Sequence, residues 1–433
     1  MKKRIIITIL FVVWLIPQIS FGAPQVIFTA TGKNGKAAVA IIDQGNYFKV
    51  MVDYTSGLTH RQIGEALGAG ILKAVPNYEA LIDSYIAENL TQYEYPEAFF
   101  RVDDLKINLD QNYQAEIEGI ASKFSGGTKN VRKDNKISRD EFYLYNLFPD
   151  IIRGSQCNYI AVFGKRSATH RTMLTRNLDW YGGDSNQLPQ LQTVFTYKYP
   201  SVQICSIGYL GFLGILTGFN DHKVFSAILD STIDGTSFSS LGKRSYPLDL
   251  RSALESNTTL QGATAFMMDL HKVYAVNHII VFADPNRSMV LENNFSGQGT
   301  TQKQVRRALR SSNSRLNKGI TWGIPDAIGS VNSFLLYGNC NNHEMPLNTK
   351  RWKSMKRELA AKGPVVTFEE LKKVASYNHG SPGTLIDSGD LYNKMTLQIV
   401  AFQPDTLTLE ISFHPKKSRR SPAKPVFEKV TSF

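Results

Sequence analysis

Cys157-Asn158-Tyr159-Ile160-Ala161-Val162-Phe163, followed after a polar turn by Thr175-Arg176-Asn177-Leu178-Asp179-Trp180, is the stretch that decides the fold. Cys157 opens an apolar run, and a second short run ends in Arg-Asn-Leu-Asp-Trp. The pattern predicts a β-hairpin with a thiol at its start and a cation and a carboxylate at its far end. A thiol becomes a nucleophile when a positive group favours the thiolate and a base takes its proton. If the chain were cut before Cys157, that base would be the cysteine's own α-amino group. The hairpin therefore asks whether the chain processes itself.

Upstream, Lys2, Lys3 and Arg4 precede an apolar run from Ile5 to Leu15, and Ser20-Phe21-Gly22 supplies small residues where a signal peptidase would cut. This predicts a signal peptide over residues 1–22, a mature chain from Ala23, and export to a periplasm or the outside. An uncleaved anchor is the rival, although the run is shorter than the ~20 residues a spanning helix needs.

The formal charge of +12 superficially points to nucleic acid, but its distribution argues against that partner. The signal region holds three of the charges. The segment after His414 holds Lys416, Lys417, Arg419, Arg420, Lys424 and Lys429 against Glu428, which leaves only +4 elsewhere. Residues 414–433 are thus expected to be a disordered basic tail, either merely solvated or attracted to an anionic surface. Three cysteines permit a Cys205–Cys340 pair with Cys157 left free, and equally permit two further free thiols.

Strand alternation covers Val26 to Val52, with a turn at 32–35. Helical spacing follows from Thr59 to Val75, from Tyr78 to Leu90 and from Asp110 to Phe124, and Ser138 with Glu141 forms a capping box for a helix ending at Asn146. After Cys157 strand signals dominate. Ile204 to Phe219 is a glycine-punctuated apolar run, Asp284-Pro285-Asn286-Arg287 and Pro404-Asp405-Thr406 mark hairpins, and helices are expected near 248–254, 260–273, 350–361 and 367–375. The segment Asn130 to Glu141 has some calcium-loop residues, but Arg132 and Lys133 occupy ligand positions and no glycine makes the turn, so it is rejected. Cys340 with His343 is too sparse for a metal site. No glycine-rich phosphate loop is present, so no cofactor is expected.

Taken together, the hairpin and several further phrases resemble the N-terminal nucleophile (Ntn) hydrolases of the choloylglycine hydrolase and acid ceramidase type. The acyl-CoA:6-aminopenicillanate acyltransferase branch (peptidase C45) is the most similar. The phrases are Gly68-Ala-Gly-Ile-Leu-Lys-Ala-Val-Pro-Asn-Tyr78, Glu116 to Ala121, Gly218-Phe219-Asn220-Asp221, Tyr246 to Ala265, and Ser330-Val331-Asn332-Ser333 followed by Arg351. The resemblance spans nearly everything from Ile42 to Phe413. It departs at Asn158, where Thr or Ser is usual, in a longer hairpin, at Val331, and over Tyr337 to Leu347.

The resemblance implies an α+β fold, a four-layer αββα sandwich with antiparallel sheets. Residues 23–156 would be a mostly helical α part and 157–413 the catalytic β part of one domain, separated by autocatalytic cleavage between Gln156 and Cys157. It implies that Cys157 is the nucleophile, that Arg176 favours its thiolate, and that Asp179 orients the new α-amine. Asn220 would donate to the oxyanion, Asn332 would bond the amine or the tetrahedral oxygen, and Arg351 would add positive charge. The expected reaction is hydrolysis of a linear, non-peptide acyl amide through a thioester. Acyl transfer to an amine is the alternative, and an uncut binding protein on the same fold is a third reading. The family's substrates span bile-acid conjugates, N-acylethanolamines, ceramides, penicillins and acyl-amino acids, so the small-molecule acyl amide is left unspecified. The aromatic stretch Tyr199 to Phe219 is a candidate lining for an acyl pocket.

Overall fold

The computed structural model describes residues 24–152, 156–231, 240–294, 306–339, 342–383 and 388–433. The hairpin is there: β4 (Gln156–Val162) pairs antiparallel with β5 (Met173–Asp179), placing Tyr159 opposite Arg176 and Cys157 opposite Leu178. Its two faces serve different layers, because side chains alternate along a strand. Cys157, Tyr159 and Ala161 enter the large core, whereas Ile160 and Val162 enter a second core built with two C-terminal helices.

Among the described residues the strands form two sheets. The first holds β1 (Gln25–Thr31), β2 (Ala37–Asp43), β3 (Phe48–Asp53), β6 (Gln192–Lys198), β7 (Gln203–Tyr209), β8 (Thr217–Asn220), β9 (Phe225–Asp230), β10 (His278–Ala283), β11 (Ser288–Asn294) and β12 (Arg306–Arg310), in that order. The second runs β13 (Ala327–Ser330), β4, β5, β14 (Thr396–Gln403), β15 (Thr408–Phe413) and β16 (Glu428–Val430). All pairs are antiparallel, as expected, except β3 with β6, which run parallel. The chain between them spans the helical part and the hairpin, long enough for the crossover a parallel pair requires.

Helices cover both sheets. The N-terminal part supplies α1 (His60–Ala74), α2 (Tyr78–Asn89), α3 (Glu94–Lys106), α4 (Gln111–Ala121), α5 (Arg139–Asn146) and α6 (Phe148–Ile151). A short α7 (Gln187–Gln190) precedes β6, and α8 (Tyr246–Ser256) and α9 (Leu260–Met268) follow β9. α1, α8 and α9 contact the first sheet, while α10 (Pro346–Ala360) and α11 (Phe368–Ala375) contact the second, whose β4 faces β9. This is the expected α+β, αββα layering.

Capping boxes open α1 at Thr59, α5 at Ser138 and α11 at Thr367. They satisfy backbone N–H groups that a helix start leaves without partners. α1 and α4 cross at glycines: a Cβ on Gly64 would lie 2.3 Å from the Glu116 carbonyl oxygen, and one on Gly119 2.3 Å from that of Arg61. Beside this crossing the buried Arg251 bonds Glu116 Oε2 at 2.7 Å and stacks near Tyr113 and Tyr197, tying the N-terminal part to α8. α3 has no clear counterpart in the sequence pattern, because Pro96 and its charged neighbours mask its spacing; Pro is tolerated in a first helical turn.

The tail expectation is corrected. β16 adds to the second sheet, the Ser432 carbonyl accepts from buried Thr196, and Phe433 packs edge-on against Phe219. Lys416 lies 4.1 Å from the Phe48 ring centroid and 3.5 Å from Asp43. The cations accompany apolar anchors that supply enough burial to order the segment. In the rejected calcium loop, the Asp83 carboxylate accepts from the Lys133 and Asn135 amides at 2.9 and 2.6 Å. Residues 1–22 and Cys340 lie outside the described residues, so the signal peptide, the Cys205–Cys340 pairing and the Cys340–His343 pair do too.

Candidate active site

Strand register assembles the site. Arg176 shares the inter-sheet face of β5 with Leu174 and Leu178, and its Nη2 lies 3.3 Å from Cys157 Sγ and donates to the Ile228 carbonyl on β9 at 2.8 Å. β13 pairs with β4 so that Ser330 faces Tyr159; two residues further on, Asn332 comes opposite Cys157. Asn332 Oδ1 accepts the Cys157 N–H at 2.8 Å, and Asn332 Nδ2 donates to the Asp230 carbonyl at 2.8 Å.

Arg351, on α10, completes the frame. Its Nη2 donates to Asn332 Oδ1 at 2.8 Å, and its Nη1 donates to the Cys157 carbonyl at 2.9 Å and lies 3.5 Å from Asp179 Oδ2. Asp179 also accepts from Asn393 Nδ2 at 2.9 Å and Thr396 Oγ1 at 2.7 Å. These two partners carry no sequence signal, since Asn393 lies in the loop leading into β14 and Thr396 is that strand's first residue. Cys157, Arg176, Asp179, Asn332 and Arg351 are all fully buried.

The electrostatics are those of a closed site. Burial pushes the Cys157 thiol up, opposed by Arg176 and by the Asp179 backbone N–H. Burial also pushes the Asp179 carboxyl up to about 6, opposed first by Arg351. The chain is continuous through Gln156, so the Cys157 nitrogen is an amide here. It nonetheless donates to Asn332 Oδ1, an acceptor held beside the same residue's thiol.

Asn220 is not brought to this cluster. Its Nδ2 donates to the Leu254 and Asn257 carbonyls at 2.9 and 2.8 Å, and its Oδ1 accepts from the Val224 amide, so the side chain closes the β8–β9 turn. Ile228 and Asp230, which meet Arg176 and Asn332, lie four and six residues beyond Val224, or roughly 13–20 Å along the strand. The oxyanion role expected of Asn220 is therefore corrected. A turn asparagine holding its own backbone has the same local sequence.

Sequence reasoning misses Tyr209. It ends β7, its ring lines an apolar cleft with Tyr85, Phe148, Trp180, Leu188 and Phe212, and its hydroxyl feels the charges of Arg176 and Cys157. Tyr209, Phe212 and Leu216 come from the aromatic stretch expected to line a pocket. The cleft's free volume is about 30 Å³, the share of one water. A larger cleft of about 590 Å³, lined by Tyr113, Tyr199, Arg244 and Glu255, contains none of the candidate residues.

No known family model matches the chain, and no curated protein matches it in sequence. Among solved structures it is similar to a Caenorhabditis elegans N-acylethanolamine-hydrolyzing acid amidase ortholog, at 14% identity over 57% of this chain and 93% of that one, with a TM-score of 0.42. It is also similar to a mutant of the conjugated bile acid hydrolase from Clostridium perfringens, at 11% identity over 64% of this chain and 96% of that one, with a TM-score of 0.35. A third is penicillin V acylase from Agrobacterium tumefaciens, at 10% identity over 59% of this chain and 83% of that one, with a TM-score of 0.37. These likenesses are distant and partial, and the activities in those names belong to those proteins.

Proposed function

We propose that this chain is an exported cysteine amidohydrolase that cuts itself between Gln156 and Cys157 and then hydrolyses a small acyl amide through a thioester. One observation carries the reading: the Cys157 nitrogen is held by Asn332 at 2.8 Å while Arg176 lies 3.3 Å from the sulfur of the same residue. Nucleophile and prospective base are held together before the base exists. The choice of an amide follows the sequence resemblance, and export follows the character of residues 1–22.

In the cutting step Cys157 Sγ bonds to the Gln156 carbonyl carbon and the Gln156–Cys157 C–N bond breaks, the nitrogen gaining a proton. Water then hydrolyses that thioester, leaving a free thiol and a free α-amine. The amine's ordinary pKa of about 7.7–8.0 suits a base near neutral pH.

In turnover the amine takes the thiol proton as Sγ bonds to the acyl carbon and the carbonyl π pair moves to oxygen. Collapse breaks the C–N bond, and the α-ammonium protonates the departing amine. The α-amine then deprotonates water, which attacks the thioester, and the acid leaves with the thiol restored. Asp179 and Asn332 hold the amine, Arg351 fixes Asn332, and Arg176 stabilises the sulfur. Intact-protein mass spectrometry during turnover of an acyl amide tests this. An acyl adduct on Cys157 that is absent from Cys157→Ala is expected; normal turnover by Cys157→Ala would overturn it.

A further inference from the structure

With Asn220 committed elsewhere, another group must donate to the oxygen that gains charge when the thiol attacks. The structure offers candidates of its own. Among the described residues, Arg176 Nε and Nη1 are buried without a hydrogen-bond partner, and so is the hydroxyl of Tyr209. A buried hydroxyl left unpaired loses its hydration without compensation, so such a group calls for an explanation. The neighbouring tyrosines show the contrast. Tyr85 donates to the Tyr181 carbonyl at 3.0 Å, and Tyr78 and Tyr145 donate to the Leu210 carbonyl at 2.9 and 3.2 Å. In this aromatic wall Tyr209 is the residue whose oxygen feels the charges of Arg176 and Cys157 and has no hydrogen-bond partner among the described residues.

We propose that the Tyr209 hydroxyl donates a hydrogen bond to the carbonyl oxygen of the acyl group attacked by Cys157, sharing that oxygen with the unpartnered N–H groups of Arg176. The inference rests on the reading of Cys157 as the nucleophile and adds a catalytic residue to it. A phenol suits the task because burial keeps it protonated, so it donates and does not compete as a base. Its ring lines the apolar cleft with Trp180, Phe148 and Phe212, so the hydroxyl is joined to an apolar surface of the kind an acyl chain would meet. Groups of this kind stabilise a developing oxyanion because they are fixed in place and shielded from water.

The test compares wild type with Tyr209→Phe, which removes only the oxygen. Coumarin amides with acyl groups from acetyl to palmitoyl serve as probes, and rates are expressed per thiol titrated with iodoacetamide. The expected result is a loss of kcat of about 10- to 1,000-fold with KM changed little, and a Tm equal to or above wild type. A kcat within about threefold of wild type would overturn the inference and leave the nucleophile reading standing. A lower kcat accompanied by a lower Tm would also overturn it, because the hydroxyl would then serve the fold. Absence of turnover by wild type across the whole series would remove the underlying reading and this inference with it.

Discussion

Asn332 Oδ1 lies 2.8 Å from both the Cys157 amide nitrogen and Arg351 Nη2, so one side-chain oxygen joins the candidate nucleophile's backbone to a buried guanidinium. Asn332→Ala leaves both donors without that acceptor. The expected outcome is a fall of at least ~10-fold in the rate of self-cleavage, with about 1–3 kcal/mol lost in stability. Time-resolved denaturing electrophoresis and urea unfolding measure the two effects separately.

Two buried carboxyls set a pH dependence of stability. Burial pushes Asp150 up to about 8, against hydrogen bonds from Ser245 and the Tyr246 amide, and Asp179 up to about 6. A raised folded-state pKa means that the native chain holds a proton the unfolded chain has released. The resulting stability is fully present below the unfolded value near 4 and is lost as pH rises through the folded value. Tm is therefore expected to rise as pH falls from 8 toward 5. Asp150→Asn should flatten the part of that curve between 6 and 8; an unchanged curve would show that Asp150 does not titrate there.

The α1–α4 crossing tolerates no side chain at its glycines. A Cβ at Gly64 would meet the Glu116 carbonyl oxygen at 2.3 Å, and backbone cannot rotate away as a side chain can. Gly64→Ala is expected to cost about 1–3 kcal/mol through overpacking, outweighing the gain in helix propensity. Gly35→Ala, in an exposed turn with open space around it, separates this packing effect from backbone strain at positive φ. Thermal unfolding of both variants checks the comparison.

What the sequence reveals follows the range of the interaction. The Cys157–Arg176–Asp179 hairpin is legible because one turn joins its strands, and the capping box at Ser138 is legible because its two residues are neighbours. Asn332 and Arg351 are reached through family resemblance alone, since nothing local distinguishes Asn332 from a polar residue after a strand or Arg351 from one near a helix start. Asn220 misleads because a turn-closing amide and an oxyanion donor share one local sequence. Tyr209 is invisible among the apolar and aromatic residues of β7; only the cross-strand frame shows that its hydroxyl has no partner among the described residues. The tail misleads because its cations outnumber its anchors in sequence, whereas Val430 and Phe433 decide its place in the fold.

The most direct test of the account is N-terminal sequencing of the mature protein after denaturing electrophoresis. The account predicts two fragments, the larger beginning Cys157-Asn158-Tyr159, and a single uncut chain from Cys157→Ala. A mature, catalytically active protein in which the Gln156–Cys157 bond stays intact would contradict it.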